Sequence, residues 1–144
     1  MSDAMALVTV DGGGRSTAAG ALRSLADAFR AARLPVVHAV DAGLATSVAP
    51  DAPTPLDLEL LADGGVQTLG PAELAIALAG TGAFDATPLD AVLRGLGVDT
   101  VVVGGPVPSA RVSASIMGAE LRGYRVLLAT EELAVALGAH LAAA

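Results

Sequence analysis

Two hydrophobic patterns alternate along the chain. Short runs of Val, Leu, Ile and Ala predict β-strands buried on both faces, and apolar residues recurring every three or four positions predict helices packed on a sheet. Because the patterns follow each other as repeated βα units, they indicate an α/β fold with three α/β/α layers and a parallel sheet of about five strands, joined by right-handed crossovers. The predicted strands cover residues 6–10, 36–40, 74–78, 101–103 and 125–128.

Four helices are predicted between and after these strands, from capping residues and apolar spacing. The first closes near Arg33, and the last runs from residue 131 to residue 141. Residues 43–70 contain three prolines and are expected to be irregular, apart from a helical turn at 56–61. The expected helix starts are Ser16 or Thr17, Thr87 with Pro88, Ser109 and Glu131.

The stretch from residue 98 to residue 126 organises the rest of the chain. A buried strand ends at Gly104, Gly105 and Pro106, and a helix follows that closes at Gly123. In open α/β sheets, ligands bind in the crevice beyond the carboxyl ends of the strands. We therefore expect any active site to border residues 104–111. The apolar stripe of this helix is predicted to hold Val112, Ile116, Ala119 and Leu121.

Composition sets the kind of core. The chain has 144 residues, the size of a single domain spanning residues 1–144, and 53% of them are hydrophobic while only 2% are aromatic. The core must therefore consist of Ala, Leu and Val, with close packing of helices on the sheet. So high an apolar content also favours burial of some surface in an oligomer.

Charge and cysteine content exclude several functions. Eight basic against fifteen acidic residues give a net charge of −7, which argues against nucleic acid and anionic membranes as partners. The absence of cysteine excludes disulfides, thiolate metal sites and thiol catalysis. No apolar run reaches the ~18 residues of a membrane span and no signal pattern opens the chain, so a cytoplasmic protein is expected.

Residues 98–126 resemble the nucleophile segment of the isochorismatase-like cysteine hydrolases, which include nicotinamidases, N-carbamoylsarcosine amidases and isochorismatases. That segment runs from a strand through a Gly and a short loop to the nucleophilic Cys, and then through a helix that ends in Gly-Tyr. The nucleophile position is occupied here by Arg111. The residues in register with the pattern are Gly105, Val112, Ala119, Gly123 and Tyr124.

The resemblance extends to other parts of the chain. It places Asp11, at the end of the first strand, in the position of the catalytic Asp, and Glu131 in an acidic position after the fifth strand. Leu78 stands where the catalytic Lys is expected. The signature upstream of the nucleophile strand is matched by Phe84, Thr87 and Leu89.

The replaced residues decide the chemistry that the resemblance can imply. In the family, the Asp serves as general base, the Lys lowers the pKa of the thiol, and the thiolate attacks an amide carbonyl. Arg111 cannot attack a carbonyl because a guanidinium stays protonated at physiological pH, and Leu78 carries no charge. Amide hydrolysis by the family mechanism is therefore excluded for this chain alone.

Asp11 and Arg111 are the residues expected to carry any remaining chemistry. Both are predicted to lie at strand ends that face one crevice. In one hypothesis they form an ion pair that fills a catalytically inactive site. In the other, Arg111 holds a substrate carboxylate while Asp11 acts as acid or base, although pairing with Arg111 would keep Asp11 ionised and make it a poor acid.

Other residues are expected to line the same crevice. His38 is either a substrate contact or a buried histidine with satisfied nitrogens. Gly43 stands where a metal-binding His is expected from the resemblance, so no metal is predicted. The glycine run at 12–14 lacks the phosphate-binding motifs, and no cofactor is predicted. The candidate substrate-binding residues are His38, Asp41, Phe84, Gly105, Pro106 and Val107.

Three functions remain open from the sequence. The first is a degenerate family member that binds a small molecule or a partner. The second is a repurposed, cofactor-independent enzyme of specialised metabolism that uses Asp11 and Arg111. The third is a structural subunit of a hetero-oligomer with a catalytic relative. Assembly as a homo-oligomer or such a hetero-oligomer is expected, because the sixth strand that usually follows the last helix in the family is expected to be absent, which leaves a sheet edge open.

Overall fold

A computed structural model of the chain describes residues 4–10, 19–40, 65–70, 72–78, 82–84, 87–104 and 110–143. Within these residues the chain forms six strands and four helices. The strands are β1 (Met5–Val10), β2 (Val36–Val40), β3 (Gln67–Gly70), β4 (Glu73–Ala77), β5 (Thr100–Gly104) and β6 (Arg125–Leu128). The helices are α1 (Ala19–Ala31), α2 (Leu89–Gly95), α3 (Ala110–Leu121) and α4 (Glu131–Ala143).

The strands form one sheet in the order β3-β4-β2-β1-β5-β6. Five of them pair in parallel, which confirms the predicted parallel sheet and its five strand locations. The sheet has six strands rather than about five, because β3 pairs antiparallel with β4 at one edge. This strand is a different one from the strand that the resemblance places after the last helix. The sequence of residues 67–70 contains no β-branched apolar run and predicts an irregular segment, and it forms a strand because β4 provides its hydrogen-bond partners.

Side chains from alternate strand positions build a core on each face of the sheet. The α2/α3 face joins residues such as Val8 and Val103 to Leu93 of α2 and Ala119 of α3. The α1/α4 face joins residues such as Leu7 to Phe29 of α1 and to α4. The fold therefore has the three predicted layers, and its central strands β1, β2 and β5 are buried on both sides.

In α3, one residue of the predicted apolar stripe, Leu121, does not face the core. The buried residues of α3 are Val112, Ser115 and Ala119, whereas the side chain of Leu121 is 82% exposed. Leu121 lies two residues beyond Ala119, and two residues turn a helix by about 200°, to the opposite side. Gly123 ends the helix with φ of +89°, a left-handed conformation that glycine adopts without strain, as predicted.

The start of α2 lies one residue later than predicted. Pro88 occupies the N-cap position, and the Thr87 hydroxyl donates to the Ala83 carbonyl while it accepts the Leu89 N–H at 3.4 Å. The predicted caps at Ser16, Thr17 and Ser109, and the helical turn at 56–61, lie outside the described residues. Among the helices that are described, none has the length and apolarity needed to cross a membrane.

Candidate functional site

The carboxyl edge of the parallel strands, where the site is predicted, falls only partly within the described residues. His38, Phe84 and Arg111 can be placed, together with Leu78. The roles of the remaining predicted site residues stay predictions, because these positions lie outside the described ranges: Asp11, Asp41, Gly105, Pro106 and Val107.

Arg111 lies in the first turn of α3 and is half-buried. The strand β5 precedes this helix and pairs in parallel with β1, with Gly104 opposite Thr9. The carboxyl ends of β1 and β5 therefore lie side by side at the same edge of the sheet. Asp11 lies outside the described residues, so its proximity to Arg111 stays a prediction.

Hydrogen bonds of Ser115 connect the short segment of residues 82–84 to the first turns of α3. The Ser115 hydroxyl donates to the Arg111 carbonyl at 2.7 Å and accepts the Ala83 N–H at 2.8 Å. A Cβ on Gly82 would come within 2.9 Å of the Ala114 backbone, so only glycine permits this close approach. Ser115 thus fixes the position of the turn that carries Arg111. Sequence reasoning missed this role, although a serine at a buried helical position was a visible signal.

Phe84 belongs to the core on the α2/α3 face of the sheet. Its side chain is nearly fully buried and packs beside Gly118, about 10 Å along the helix axis from Arg111. The Tyr124 ring lies 5.5 Å away between centroids, and the Arg122 guanidinium lies 5.5 Å over the Phe84 ring. These packing contacts explain the position and burial of the Phe84 side chain, and its role in substrate binding stays a prediction.

His38 is enclosed on the α1/α4 face, with 1% of its surface exposed. Its Nδ1 lies 2.8 Å from the hydroxyl of Thr9, which is its neighbour on β1, and its Nε2 lies 2.5 Å from a carboxylate oxygen of Glu73. Because an ionised carboxylate only accepts hydrogen bonds, Nε2 carries a proton. Both ring nitrogens are thus engaged within the protein. This geometry matches the alternative of a satisfied buried histidine, and a substrate contact stays a prediction without support from the described residues.

Glu73 connects this histidine to α1. Arg30 donates to both Glu73 oxygens, from Nε at 2.9 Å and from Nη2 at 2.7 Å, and to Asp27 at 3.0 Å. Burial by itself would raise the pKa of Glu73, but the hydrogen bonds from His38 and Arg30 outweigh it and lower that pKa to about 2. We call the set Thr9, His38, Glu73 and Arg30 the buried polar network.

The order of groups in the buried polar network, hydroxyl to imidazole to carboxylate, is the order found in acyl-transfer triads. A nucleophile must be reached by its substrate, however, and Thr9 is 1% exposed beneath α1. The network therefore links β1, β2, β4 and α1 rather than attacking a substrate. Sequence reasoning noted His38 alone. Thr9 was a visible second signal, because it is a polar residue inside an otherwise apolar strand.

A second polar cluster borders the α2/α3 face. The Tyr124 hydroxyl donates to Asp90 Oδ1 at 2.8 Å, and Arg94 bonds to Asp90 at 3.0 Å and to the Arg122 carbonyl at 2.8 Å. Burial and the contact with Asp90 raise the pKa of Tyr124 to about 12. The cluster joins the end of α3 to α2 and lies away from the carboxyl edge of the sheet.

The clefts and acidic groups in the described residues do not suggest a metal centre. A cleft of about 450 Å³ opens at the amino edge of the sheet, opposite the predicted site, and is lined by Arg30, Arg33, Leu34, Ala72 and Glu73. Within the described residues, no cluster of three or more His, Cys, Asp or Glu side chains could hold a metal ion.

Comparison with protein families decides the relationship of this fold. The model of the isochorismatase domain matches residues 2–136, which is nearly the whole chain. The chain belongs to the isochorismatase family. A comparison with curated proteins gives no match. The assignment of Arg111 and Leu78 to the positions of the nucleophile and the Lys stays a prediction from the resemblance.

Solved structures resemble this isochorismatase-family protein over most of its length. The N-carbamoylsarcosine amidase from Thermoplasma acidophilum is 26% identical, with 86% of this chain and 80% of that chain covered and a TM-score of 0.59. An isochorismatase family protein from Burkholderia thailandensis is 25% identical, with 89% and 77% covered and a TM-score of 0.58. The nicotinamidase from Staphylococcus aureus shares the fold, at 16% identity, 96% and 94% coverage and a TM-score of 0.62.

Proposed function

We propose that this isochorismatase-family protein binds a small carboxylate-bearing molecule at the carboxyl edge of its sheet and does not hydrolyse amides by the Cys-dependent mechanism. The observation that carries the proposal is the place of Arg111 on the first turn of α3, the position that the family resemblance gives to the nucleophile. The chain contains neither cysteine nor lysine, so both groups of the thiolate mechanism are missing.

The surroundings of Arg111 favour an anion. A guanidinium stays charged and offers a planar set of donors that matches a carboxylate. The first turn of a helix adds backbone N–H groups without intrahelical partners and the positive end of the helix dipole. Ser115 holds this turn against residues 82–84, so the donor lies on a fixed element of the fold. A rigid cationic position next to the predicted Asp11 suits recognition better than nucleophilic attack.

The relatives supply the chemical context for this proposal. The similar protein from Thermoplasma acidophilum is an N-carbamoylsarcosine amidase, and it is 26% identical to this chain. A chain that keeps that fold but replaces the nucleophile retains a crevice at the strand ends without the group that would form a covalent intermediate. Binding without turnover is therefore the function that these substitutions favour.

Calorimetric titration with a panel of small monocarboxylates tests the proposal. A charge-assisted hydrogen bond is worth about 1.5–3 kcal/mol, so Arg111→Ala should weaken the best ligand by about 10- to 100-fold. Arg111→Lys should retain part of the affinity, because the charge stays while the planar pair of donors is lost.

Arg33→Gly is a matched control for the loss of one positive charge. Arg33 lies after α1 at the amino edge and has φ of +61°, which glycine adopts readily, so this variant should fold and bind as the wild type does. Equal affinity of the wild type and Arg111→Ala would contradict the site. Ammonia release from simple amides, above the rate given by Arg111→Ala, would contradict binding without turnover.

A further inference from the structure

The strand β6 forms one edge of the sheet, and within the described residues it pairs only with β5. Alternate residues of β6 form the backbone hydrogen bonds to β5. The Arg125 N–H donates to the Asp99 carbonyl at 2.9 Å, and the Ala129 N–H donates to the Val103 carbonyl at 2.8 Å. Successive residues of a strand direct their backbone N–H and C=O groups to alternate sides, so the backbone groups of Leu127 also face β5. The N–H and C=O groups of Val126 and Leu128 therefore point away from the sheet.

The side chains of β6 are those of an interior strand rather than a protected edge. Val126 packs on the α2/α3 face and Leu127 on the α1/α4 face, while Leu128 is 36% exposed. Edge strands that avoid pairing are usually very short or carry a bulge, a proline or an inward-pointing charge, and β6 is short, at four residues, but has none of the other three. The opposite edge has such a feature, because the pairing of β3 shifts between Thr68 and Gly70. β6 is regular from end to end.

The charges at the two ends of β6 are complementary. Arg125 begins the strand and is exposed, and Glu132 lies in the first turn of α4, directly beyond the other end, and is exposed too. An antiparallel neighbour with the same sequence would place the start of one strand beside the end of the other. Arg125 of each copy would then approach Glu132 of the second copy, twice in one interface.

We propose that two copies of this chain join through β6 in antiparallel register, about a two-fold axis that passes between the two Leu127 residues. Val126 of one copy and Leu128 of the other form two backbone hydrogen bonds, each N–H donating to the other residue's C=O. The symmetry-related pair forms two more. The result is four backbone hydrogen bonds and one continuous twelve-stranded sheet. The occupant is a second copy because an antiparallel strand of the same sequence supplies the matching outward groups and places a charge of opposite sign at each end of β6. The inference does not rest on the proposed carboxylate site, which lies at a different edge of the sheet.

Single cysteines test the register directly, since the chain has no cysteine of its own. In the proposed pairing the two Leu127 residues face each other as a non-hydrogen-bonded pair, with Cα atoms about 4.5 Å apart, which suits a disulfide. Leu127→Cys should cross-link into a covalent dimer under mild oxidation. Leu128→Cys is the matched control, because its two copies lie beyond the ~7 Å limit for a disulfide and should stay uncross-linked.

Sedimentation equilibrium across a concentration series measures the association itself. Leu128→Pro removes an outward N–H without touching the bonds to β5, and it should weaken dimerisation at least tenfold relative to Leu128→Ala, which keeps that N–H. Arg125→Glu should also weaken the dimer, and the double change Arg125→Glu with Glu132→Arg should restore it. Such rescue separates an interface contact from a loss of folding.

Three outcomes would overturn the proposal. One is a wild-type protein that remains monomeric throughout the series. Another is a dimer that Leu128→Pro and Arg125→Glu leave unchanged, which would place the contact elsewhere. The third is assembly that grows without limit with concentration, which would indicate open-ended pairing of β6 with β3 rather than a closed two-fold dimer.

Discussion

The two faces of the sheet are built by different physical means. On the α2/α3 face the strands present apolar residues alone, such as Val8, Val37 and Val103. On the α1/α4 face the same strands present the buried polar network beside Leu7 and Phe29. Within the described residues, no buried side-chain nitrogen or oxygen lacks a hydrogen-bond partner. The α2/α3 face is therefore stabilised by burial of apolar surface. The α1/α4 face depends in addition on a complete set of hydrogen-bond partners for its buried polar side chains.

This difference has a consequence for register. An apolar face accepts any residue of similar size, since dispersion and burial have no direction. A buried imidazole requires its partners at fixed positions, here Thr9 on β1 and Glu73 on β4. A shift of either strand by one residue would turn these partners to the opposite face and leave His38 unsatisfied. We expect substitutions in the buried polar network to have larger and less additive effects than apolar truncations opposite it.

The largest effect is expected from Glu73→Ala. The change removes the acceptor of both His38 and Arg30, and breaking a buried charged pair in this way costs about 4 kcal/mol of unfolding free energy. Chemical denaturation measures the loss. Asp27→Ala is the control, because Asp27 is 68% exposed and contacts the same Arg30, and it should cost less than about 1 kcal/mol. Similar losses in the two variants would show that Glu73 acts as a surface partner.

Leu93→Ala tests the opposite, apolar face. Leu93 is a fully buried residue of α2, and the combined loss of burial and the new cavity should cost about 3 kcal/mol. Leu121→Ala, on the exposed side of α3, should change the unfolding free energy by about 0.5 kcal/mol or less. A loss for Leu93→Ala as small as that for Leu121→Ala would mean that this face repacks freely.

Acid should weaken the polar face selectively. The pKa of Glu73 is about 2 in the folded protein and about 4.5 when unfolded, so its contribution is complete above pH ~5. As the pH falls from 5 to 2, the unfolded chain takes up the proton first and up to about 3 kcal/mol of stability is lost. The same titration in Glu73→Gln should show a smaller decrease over this range. Parallel curves for the two proteins would assign the acid sensitivity to other carboxylates.

The smallest effect is expected at the margin of the apolar face, from Tyr124→Phe. Loss of the hydrogen bond to Asp90 should cost about 1 kcal/mol at neutral pH. The pKa of Tyr124 is raised to about 12, so its neutral form stabilises the fold below pH ~10 and this contribution disappears as the pH rises from 10 to 12. Because Tyr124 is the only tyrosine, phenolate absorbance follows its ionisation directly. An ionisation midpoint near pH 10 in the folded protein would contradict the buried hydroxyl.

Local sequence predicted most of the architecture and part of the candidate site. The apolar runs located all five parallel strands, and Gly123 marked the end of α3, because each of these signals depends on neighbours along the chain. The strand β3 was missed, since four residues ending in Gly70 form a strand only when β4 supplies their partners. The site was predicted from family resemblance around Arg111, and the support that Ser115 gives to its helical turn depends on residues 82–84, about thirty positions away.

The sequence by itself determined the α/β class through its periodicity, the family through the resemblance of its motifs, and the absence of a thiolate nucleophile through its composition. Only the tertiary structure decided that His38 is enclosed by Thr9 and Glu73, and that Phe84 packs against α3. These outcomes depend on which strands become neighbours and which face each residue meets. The physical reason is that a polar side chain's role is set by its partners, and those partners are brought together by pairings between residues distant in sequence.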